Sequence, residues 1–131
     1  MHDSNLLEAF ASYRVRPVRR GRSVMTPDNI LVISCRYTGF KSASLEILQY
    51  EEDLTGQTNE MTNALRAHLA EAKSNEYDVR VVVAIQQGAA LRTTYYARKD
   101  LVGRVTWFDG DRFVIEFRRT SAQALAERRA G

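Results

Sequence analysis

The chain has 131 residues, of which 44% are hydrophobic and 27% charged, and its formal net charge is +3. This length predicts a single domain, residues 1–131, with enough apolar residues for a core. No apolar run approaches the length of a membrane span, so we expect no membrane partner. The one cysteine, Cys35, excludes an internal disulfide framework, and the start of the chain shows no secretory signal. A cytoplasmic protein is therefore predicted, with Cys35 as a small buried hydrophobic residue.

The first predicted element is a short helix over residues 5–13. Asn5 is a candidate N-cap, and Glu8 follows three residues later as in a capping box. Leu6 and Phe10 lie one helical turn apart. We expect them to pack on the core or on a partner subunit.

The densest charge in the chain is the basic segment, residues 14–22. Pro17 disfavours a helix here. Two interpretations stay open: an extended arm that binds phosphates, and a linker or edge strand kept from aggregation by its charge. The segment contains Arg14, Arg16, Arg19, Arg20 and Arg22.

Two strands are predicted in the next part of the chain. A turn at residues 26–29 precedes the continuous apolar run 30–35, which indicates a central strand covered on both faces. Residues 45–50 alternate as a strand does, although a short helix through residue 53 also fits. The acidic residues 51–53 resemble either a set of metal ligands or the solvated end of an element. We predict the solvated end and no metal.

The main helix is predicted to begin after Gly56, with Thr58 or Asn59 as its cap. His68 lies beside its apolar stripe and is interpreted as a helix-surface residue, because no second histidine is placed to join it in a metal site. The stripe has the helical period and consists of Met61, Leu65, Leu69 and Ala72.

Two further strands and a β-hairpin complete the pattern and are predicted to form a four-strand meander. Alternation predicts strands over 77–85 and 91–98, and the hairpin covers 101–117 around Asp109-Gly110-Asp111. Gly110 is expected to take a positive φ or to ease a bulge. A tail over residues 120–131 can form a frayed helix. An odd-length hairpin loop would gather these apolar side chains on one face: Val105, Trp107, Phe113, Ile115 and Phe117.

Together the elements predict an α+β domain with the order α-β-β-α-β-β-β-β. We expect two layers, with a curved and mostly antiparallel sheet that carries both helices on one face. The other face must be buried by curling, by the chain ends or by another subunit. Several strands are apolar on both sides, which predicts a homo-oligomer.

The hairpin resembles the first signature of the Sm-like family over residues 101–115. That signature is a strand of the form Leu-x-Gly-x-(Ile/Val)-x-x-Phe-Asp followed by a short apolar strand. In that family the glycine permits strong strand bending, and rings of subunits bind RNA. The loop after Asp109 is longer than the family pattern and no second signature follows, so base-contacting positions are not carried over. The matching residues are Leu101, Gly103, Val105, Phe108 and Asp109, followed by Phe113, Val114 and Ile115.

The first hypothesis for the function is nucleic-acid binding, with RNA favoured over DNA. Arginine supplies 16 of the 19 basic residues, although a GC-rich genome also produces this bias. Guanidinium groups hold phosphates, and an exposed tyrosine stacks on a base. The predicted surface joins the basic segment to one polar sheet face and comprises Arg14, Arg16, Arg19, Arg20, Arg22, Arg92, Tyr96, Arg98 and Arg104.

Two other hypotheses belong to different classes. A self-assembling protein-interaction module, such as an adaptor or an inhibitor from a mobile element, fits the two-sided apolar strands. An enzyme fits less well, because the chain lacks a phosphate-cradling glycine loop, a nucleophile elbow and a metal-spaced His/Cys set. We therefore predict no catalytic residue and no cofactor. Side chains left unassigned for catalysis are His68, Tyr95, Tyr96 and Glu116.

Overall fold

The computed structural model describes residues 2–17, 21–88 and 92–120, with side chains from residue 5 onward. Arg19, Arg20 and the predicted tail helix lie outside the described residues. The described elements, in chain order, are α1 (His2–Ala11), β1 (Ser23–Met25), β2 (Ile30–Arg36), a 3-10 helix (Tyr37–Gly39), β3 (Phe40–Ser42), β4 (Ile47–Asp53), α2 (Glu60–Asn75), β5 (Asp78–Gln87), β6 (Arg92–Ala97), β7 (Leu101–Phe108) and β8 (Arg112–Arg119).

The strands form one mixed, mostly antiparallel sheet in the order β1-β2-β5-β7-β8-β4-β3, with β6 also paired to β5. The predicted α+β class is confirmed. The predicted order of elements omitted the short strands β1 and β3, and the alternative of a helix near residues 45–53 is wrong because β4 lies there. The sequence also did not reveal that β2 and β5 are parallel, with Ile33 opposite Val81.

The last four strands are not the predicted simple meander. β6 pairs with the C-terminal part of β5, whereas β7 pairs with β5 at its N-terminal end, where Val79 lies opposite Gly103. β7 then pairs with β8 as predicted. β6 and β7 therefore pair with the same edge of β5, one at each end of that strand.

The two helices lie on opposite faces of the sheet. α2 packs Leu69 in one hydrophobic cluster with Ile33, whereas α1 packs Phe10 in a second cluster with Val32. Adjacent residues of a strand point to opposite faces, so these two clusters lie on the two sides of β2. The prediction that both helices share one face is therefore wrong. The second face is covered by the N-terminal helix, one of the coverings expected.

The helix starts show one correct prediction and one error. Asn59 caps α2, since its side-chain oxygen accepts the Thr62 N–H at 2.8 Å. α1 begins earlier than predicted, at His2, so Asn5 lies within the helix and is not its cap. The Asn5 side chain instead accepts the backbone N–H of Tyr95 at 2.6 Å, which ties α1 to β6.

The hairpin of β7 and β8 has the predicted connection at residues 109–111, and Gly110 has a φ of 105°. The predicted apolar face is wrong for Trp107, because a β-bulge precedes it in β7. The bulge shifts the register by one residue, so Trp107 lies opposite Val114 and is 52% exposed. Phe108 packs against the core in its place. A one-residue slip exchanges the two faces of a strand, which explains the error.

Polar contacts join β2 to β4, although these strands are not neighbours in the sheet. The Tyr50 hydroxyl accepts the Arg36 N–H at 3.1 Å and donates to Glu52. Arg22 also binds Glu52, and its Nη2 donates to the carbonyl oxygen of Ser34 at 2.8 Å. The sheet must curve for these groups to meet, so both ends of the strand order lie near one another.

Candidate functional site

A cleft surrounds the 3-10 helix at the carboxyl end of β2, and we call it the Tyr37 cleft. It consists of two cavities that share Tyr37 and Thr38 and otherwise lie on opposite faces of the sheet, since Ala84 lines one cavity and its neighbour Val83 lines the other. The polar lobe has a volume of about 730 Å³ and is also lined by Arg22, Ser34, Arg36, Ala84, Ile85, Gln86, Thr93 and Tyr95. The second lobe has a volume of about 530 Å³ and is also lined by Phe40, Leu48, Val83, Arg98, Leu101 and Arg119. We call it the apolar lobe after its four aliphatic and aromatic residues, although polar atoms supply about half of its accessible surface.

The position of the cleft follows from the topology. β2 and β5 run parallel, and in sheets with parallel strands the carboxyl ends are where a crevice opens. The chain turns out of β2 through the 3-10 helix. At Gly39 a side chain would overlap the ring of Tyr50, so the backbone of the 3-10 helix lies directly on that ring. The absence of a side chain at Gly39 therefore fixes the wall between the two lobes.

Two arginines of the cleft are held by carboxylates. Arg22 contacts Glu52 through Nη1–Oε2 at 2.7 Å and Nη2–Oε1 at 2.8 Å. Arg98 contacts Asp100 through Nε–Oδ1 and Nη2–Oδ2, both at 2.8 Å. Two-point contacts of this kind orient the planar guanidinium group. These two side chains are therefore rigid parts of the cleft wall.

Both carboxylates are ionised at neutral pH. Burial raises the pKa of Glu52, but the hydrogen bonds and charge of Arg22 outweigh burial and hold that pKa below its ordinary value. The hydrogen bond from Arg98 lowers the pKa of Asp100 in spite of partial burial. Each carboxylate thus cancels the charge of one arginine.

The other two arginines give the cleft its charge. The Arg36 guanidinium makes no hydrogen bond with the described part of the chain, and Arg119 donates from Nη1 to the carbonyl oxygen of Leu45 at 2.9 Å. Among the lining residues and their ion-pair partners, arginines exceed carboxylates by two. The cleft is therefore suited to an anionic ligand.

One exposed tyrosine ring, Tyr37, lines both lobes of the cleft, and a second, Tyr96, lies on a neighbouring strand without lining either lobe. Tyr37 is 62% exposed and Tyr96 is 46% exposed. Tyr96 lies opposite Val83, a wall residue of the apolar lobe, and shares a face of β6 with Arg92. Exposed rings beside guanidinium groups form a surface on which a flat ligand can stack.

Of the predicted sheet-face residues, those of β6 share a face, whereas the one of β7 does not join them. Arg92 and Tyr96 share a face, and Arg98 lines the apolar lobe on that side. Arg104 lies on the opposite face of the sheet, because its neighbour Val105 points into the α2 cluster. Its Nε binds Oδ1 of Asp78 at 3.0 Å. Arg104 lines neither lobe of the Tyr37 cleft.

The basic segment is not a uniform arm. Arg22 continues the pairing of β1, since its carbonyl oxygen accepts the Ser34 N–H at 2.7 Å, and it lines the polar lobe. Arg16 lines a third cavity of about 460 Å³ between β1 and α2. Arg14 is exposed and has no side-chain partner among the described residues. Of the described arginines in this segment, Arg22 alone reaches the cleft.

The acidic patch is a solvated end only at Asp53, which is exposed at the end of β4. Glu51 accepts from Arg112 Nε at 2.7 Å, Glu52 binds Arg22, and Asp53 accepts the Thr55 N–H at 2.9 Å. In residues 2–17, 21–88 and 92–120 no group of three or more His, Cys, Asp or Glu side chains is placed to hold a metal ion.

Two other predicted side chains have defined surroundings. His68 is half-buried, with Nδ1 2.7 Å from the Ser23 hydroxyl, so it is not a plain helix-surface residue. Burial lowers its pKa. Cys35 is fully buried, as predicted, and burial raises the pKa of its thiol. Neither side chain lines the Tyr37 cleft.

Sequence reasoning missed three residues of the cleft, Arg36, Tyr37 and Arg119. Arg36 is the last residue of β2 and Tyr37 follows it directly, and the sequence pattern indicates a role for neither. Their signal was an arginine and an aromatic residue at the carboxyl end of an apolar run, which becomes informative only when that run has a parallel neighbour. Arg119 ends β8 and gave no separate signal.

No described helix has both the length and the apolar character needed to cross a membrane. The sequence matches no protein-family model, and no curated protein is significantly similar to it. The Sm-like resemblance stays confined to the hairpin of β7 and β8.

Proposed function

We propose that this protein binds single-stranded nucleic acid, with RNA favoured over DNA, in the Tyr37 cleft. The observation that carries the proposal is the excess of two arginines over carboxylates around the exposed ring of Tyr37, with the exposed ring of Tyr96 on the strand next to Val83. Guanidinium groups hold the phosphates of an unpaired strand, and its bases stack on tyrosine rings. Arg36 and Arg119 contact phosphates on the two sides of the 3-10 helix.

The preference for RNA comes from the polar lobe. Its wall carries the hydroxyl groups of Ser34, Thr38 and Thr93 together with the amide of Gln86. A ribose 2′-hydroxyl both donates and accepts a hydrogen bond, and these groups can do the same. Arg92 extends the contact along β6, and the arginines of the basic segment, including Arg14 and Arg16, extend it beyond the cleft.

The test is the affinity for a short fluorescein-labelled oligouridylate, measured by fluorescence anisotropy as a function of salt. We expect the affinity to fall steeply between about 50 and about 200 mM salt, since bound phosphates release counterions. Arg36→Ala and Arg119→Ala should each weaken binding and reduce the slope of log affinity against log salt by about 1.

Arg118→Ala is the matched control. Arg118 is the chain neighbour of Arg119 and is exposed, but it lies on the other face of β8, at 3.5 Å from Glu116. Its loss removes the same charge and should leave the affinity almost unchanged. If Arg118→Ala weakens binding as much as Arg119→Ala, the cleft is not the site and the proposal fails.

Stacking is tested separately. Tyr37→Ala and Tyr96→Ala should each cost about 1–3 kcal/mol of binding free energy while the salt slope stays the same. Tyr37→Phe keeps the ring and should bind as the parent does. Equal loss in Tyr37→Phe and Tyr37→Ala would assign the effect to the hydroxyl group and would remove stacking from the proposal.

A second candidate function, assembly of several copies of this chain, is favoured by Trp107. This ring is 52% exposed on the sheet face that also carries Arg104 and Val114. Tryptophan and arginine dominate the binding energy of protein interfaces. Light scattering after gel filtration should give a homo-oligomer for the parent and a monomer for Trp107→Ala. A monomeric parent would rule this candidate out.

A further inference from the structure

We infer that the apolar lobe is a pocket for one nucleobase with its phosphate, taken either from a free nucleoside monophosphate or from the terminal nucleotide of a strand. This inference rests on the proposed function and adds to it a defined ligand. The lobe has an apolar floor and two arginines at its wall. The floor consists of Phe40, Leu48, Val83 and Leu101.

The floor is rigid where a base would lie on it. The Phe40 ring packs against Tyr50, with ring centroids 4.9 Å apart, and against Phe117, with centroids 5.9 Å apart. Tilted contacts at such distances hold aromatic rings in place. Leu101 is fully buried and Val83 nearly so, which leaves the half-buried Phe40 and Leu48 as the apolar surface that a ligand can contact. A flat ring placed there gains the contact of a fixed aromatic surface.

The anion-binding groups of the lobe are also held in place. Asp100 binds Arg98 at two points, and the charge of Arg119 contributes to the lowered pKa of Asp100, so both cations lie near this carboxylate. The backbone carbonyl of Asp100 accepts the N–H of Thr120 at 2.7 Å, which ties it to the end of β8. Two arginines against one carboxylate leave a positive charge for a phosphate.

The remaining residues of the lobe favour a nucleotide over a simple amphipathic acid as the ligand. Tyr37 and Thr38 line both lobes, and both side chains carry a hydroxyl group. A nucleobase has an apolar face, a polar edge and a phosphate one sugar away, and the lobe offers a partner for each. A volume of about 530 Å³ suits a ligand of this size.

The experiment compares three ligands by isothermal titration calorimetry on the full chain: adenosine monophosphate, adenosine and ribose 5-phosphate. We expect the monophosphate to bind at least about tenfold more tightly than either fragment, because the fragments lack one charged or one stacking contact. Arg119→Ala should reduce the affinity for the monophosphate to that for adenosine.

A filling variant tests the location. Leu48→Phe places a ring in the lobe and should abolish monophosphate binding, whereas Ile47→Phe adds the same ring on the other face of β4 and should preserve it. Circular dichroism verifies that both variants fold. If Leu48→Phe does not fold, Thr38→Val serves in its place, since it removes a hydroxyl of the lobe, and a several-fold loss is expected.

The outcomes separate the inference from the function on which it rests. If the oligouridylate binds but the monophosphate does not, the nucleotide pocket is overturned and the proposed function stands. If neither binds, both fail. If benzoate or decanoate binds more tightly than the monophosphate, the lobe is a site for amphipathic acids and the inference is wrong. If Leu48→Phe weakens oligonucleotide binding as well as monophosphate binding, the ligand of the lobe is the terminal nucleotide of a strand.

Discussion

Arg22 and Glu52 meet in a two-point ion pair that connects the edge of β1 to β4, with both oxygen–nitrogen distances between 2.7 and 2.8 Å. The exposed fraction is 24% for the Arg22 side chain and 9% for that of Glu52. The carboxylate also accepts from the Tyr50 hydroxyl. This pair holds together two strands that share no ladder.

Removing one member of the pair should destabilise the protein. Glu52→Gln leaves a largely buried guanidinium without its counter-charge, and we expect the free energy of unfolding to fall by about 2–4 kcal/mol. Urea denaturation followed by circular dichroism measures this loss. Replacing both residues in Arg22→Met/Glu52→Leu should recover most of it, because the desolvation cost of both charges is removed. A double variant as unstable as Glu52→Gln would contradict the account.

The same pair predicts a loss of stability in acid. The folded pKa of Glu52 lies below its ordinary value of 4.5, so its contribution is fully present above pH 4.5 and is lost as the pH falls through the folded pKa. Asp100, whose pKa is also lowered, acts in the same direction. The urea midpoint should therefore decline below pH 4.5. Glu52→Gln should show a shallower decline, and an identical decline in both proteins would contradict this assignment.

Arg66 connects α2 to two loops. Its guanidinium donates to the carbonyl oxygens of Leu54 and Gly110 at 2.8 Å and of Gln57 at 2.5 Å, and to Asp111 at 3.0 Å. Arg66→Ala leaves these acceptors without a partner and should cost about 2–4 kcal/mol of unfolding free energy.

Two comparisons make the Arg66 prediction specific. Arg66→Lys keeps the charge but lacks the planar fork, so it should recover less than half of the loss. Arg112→Ala, which removes an exposed partner of Glu51, should cost no more than about 1 kcal/mol. Chemical denaturation of the three variants measures these changes in the free energy of unfolding. Full recovery of stability in Arg66→Lys would show that the charge alone is needed.

Gly39→Ala should distort the Tyr37 cleft. The added methyl group would overlap the Tyr50 ring, and overpacking of this kind costs about 1–3 kcal/mol. We expect a lower melting temperature and altered amide chemical shifts for Tyr37 and Thr38. Thr38→Ala removes atoms at the next position and should leave the melting temperature close to that of the parent. An unperturbed amide spectrum for Gly39→Ala would show that the space between residue 39 and the Tyr50 ring accepts a methyl group, which would contradict this prediction.

Local patterns in the sequence predicted most elements correctly. The cap at Asn59 depends on residues adjacent in the chain, and so does the loop at 109–111. The alternation over 77–85 depends on one strand alone. These signals report on neighbours along the chain, which is why they identified the main helix, the longer strands and the hairpin.

The errors occur where distant residues decide the structure. The bulge before Trp107 leaves no mark in the alternation, and one extra residue reverses the predicted face. The position of α1 on the far side of the sheet depends on Asn5 meeting Tyr95. The acidic patch resembled a solvated end, because nothing near it in sequence reveals that Arg22 binds Glu52.

The candidate site was predicted in part for the same reason. Arg92, Tyr96 and Arg98 belong to one alternating run, and their shared side could be read from it. Arg36 and Arg119 come from the ends of two strands that are far apart in sequence, and only the curvature of the sheet brings them to one cleft. Arg104 was assigned to that surface because the missing pairing between β6 and β7 cannot be read from alternation.

The parallel pairing of β2 with β5 has a consequence for how the molecule acquires its shape. Residues 37–77 separate the two strands and include β3, β4 and α2. No hairpin can start this pairing, and closing so long a segment has an entropic cost that slows the search. The middle of the sheet and the walls of the cleft therefore arise in the same late, cooperative step of refolding.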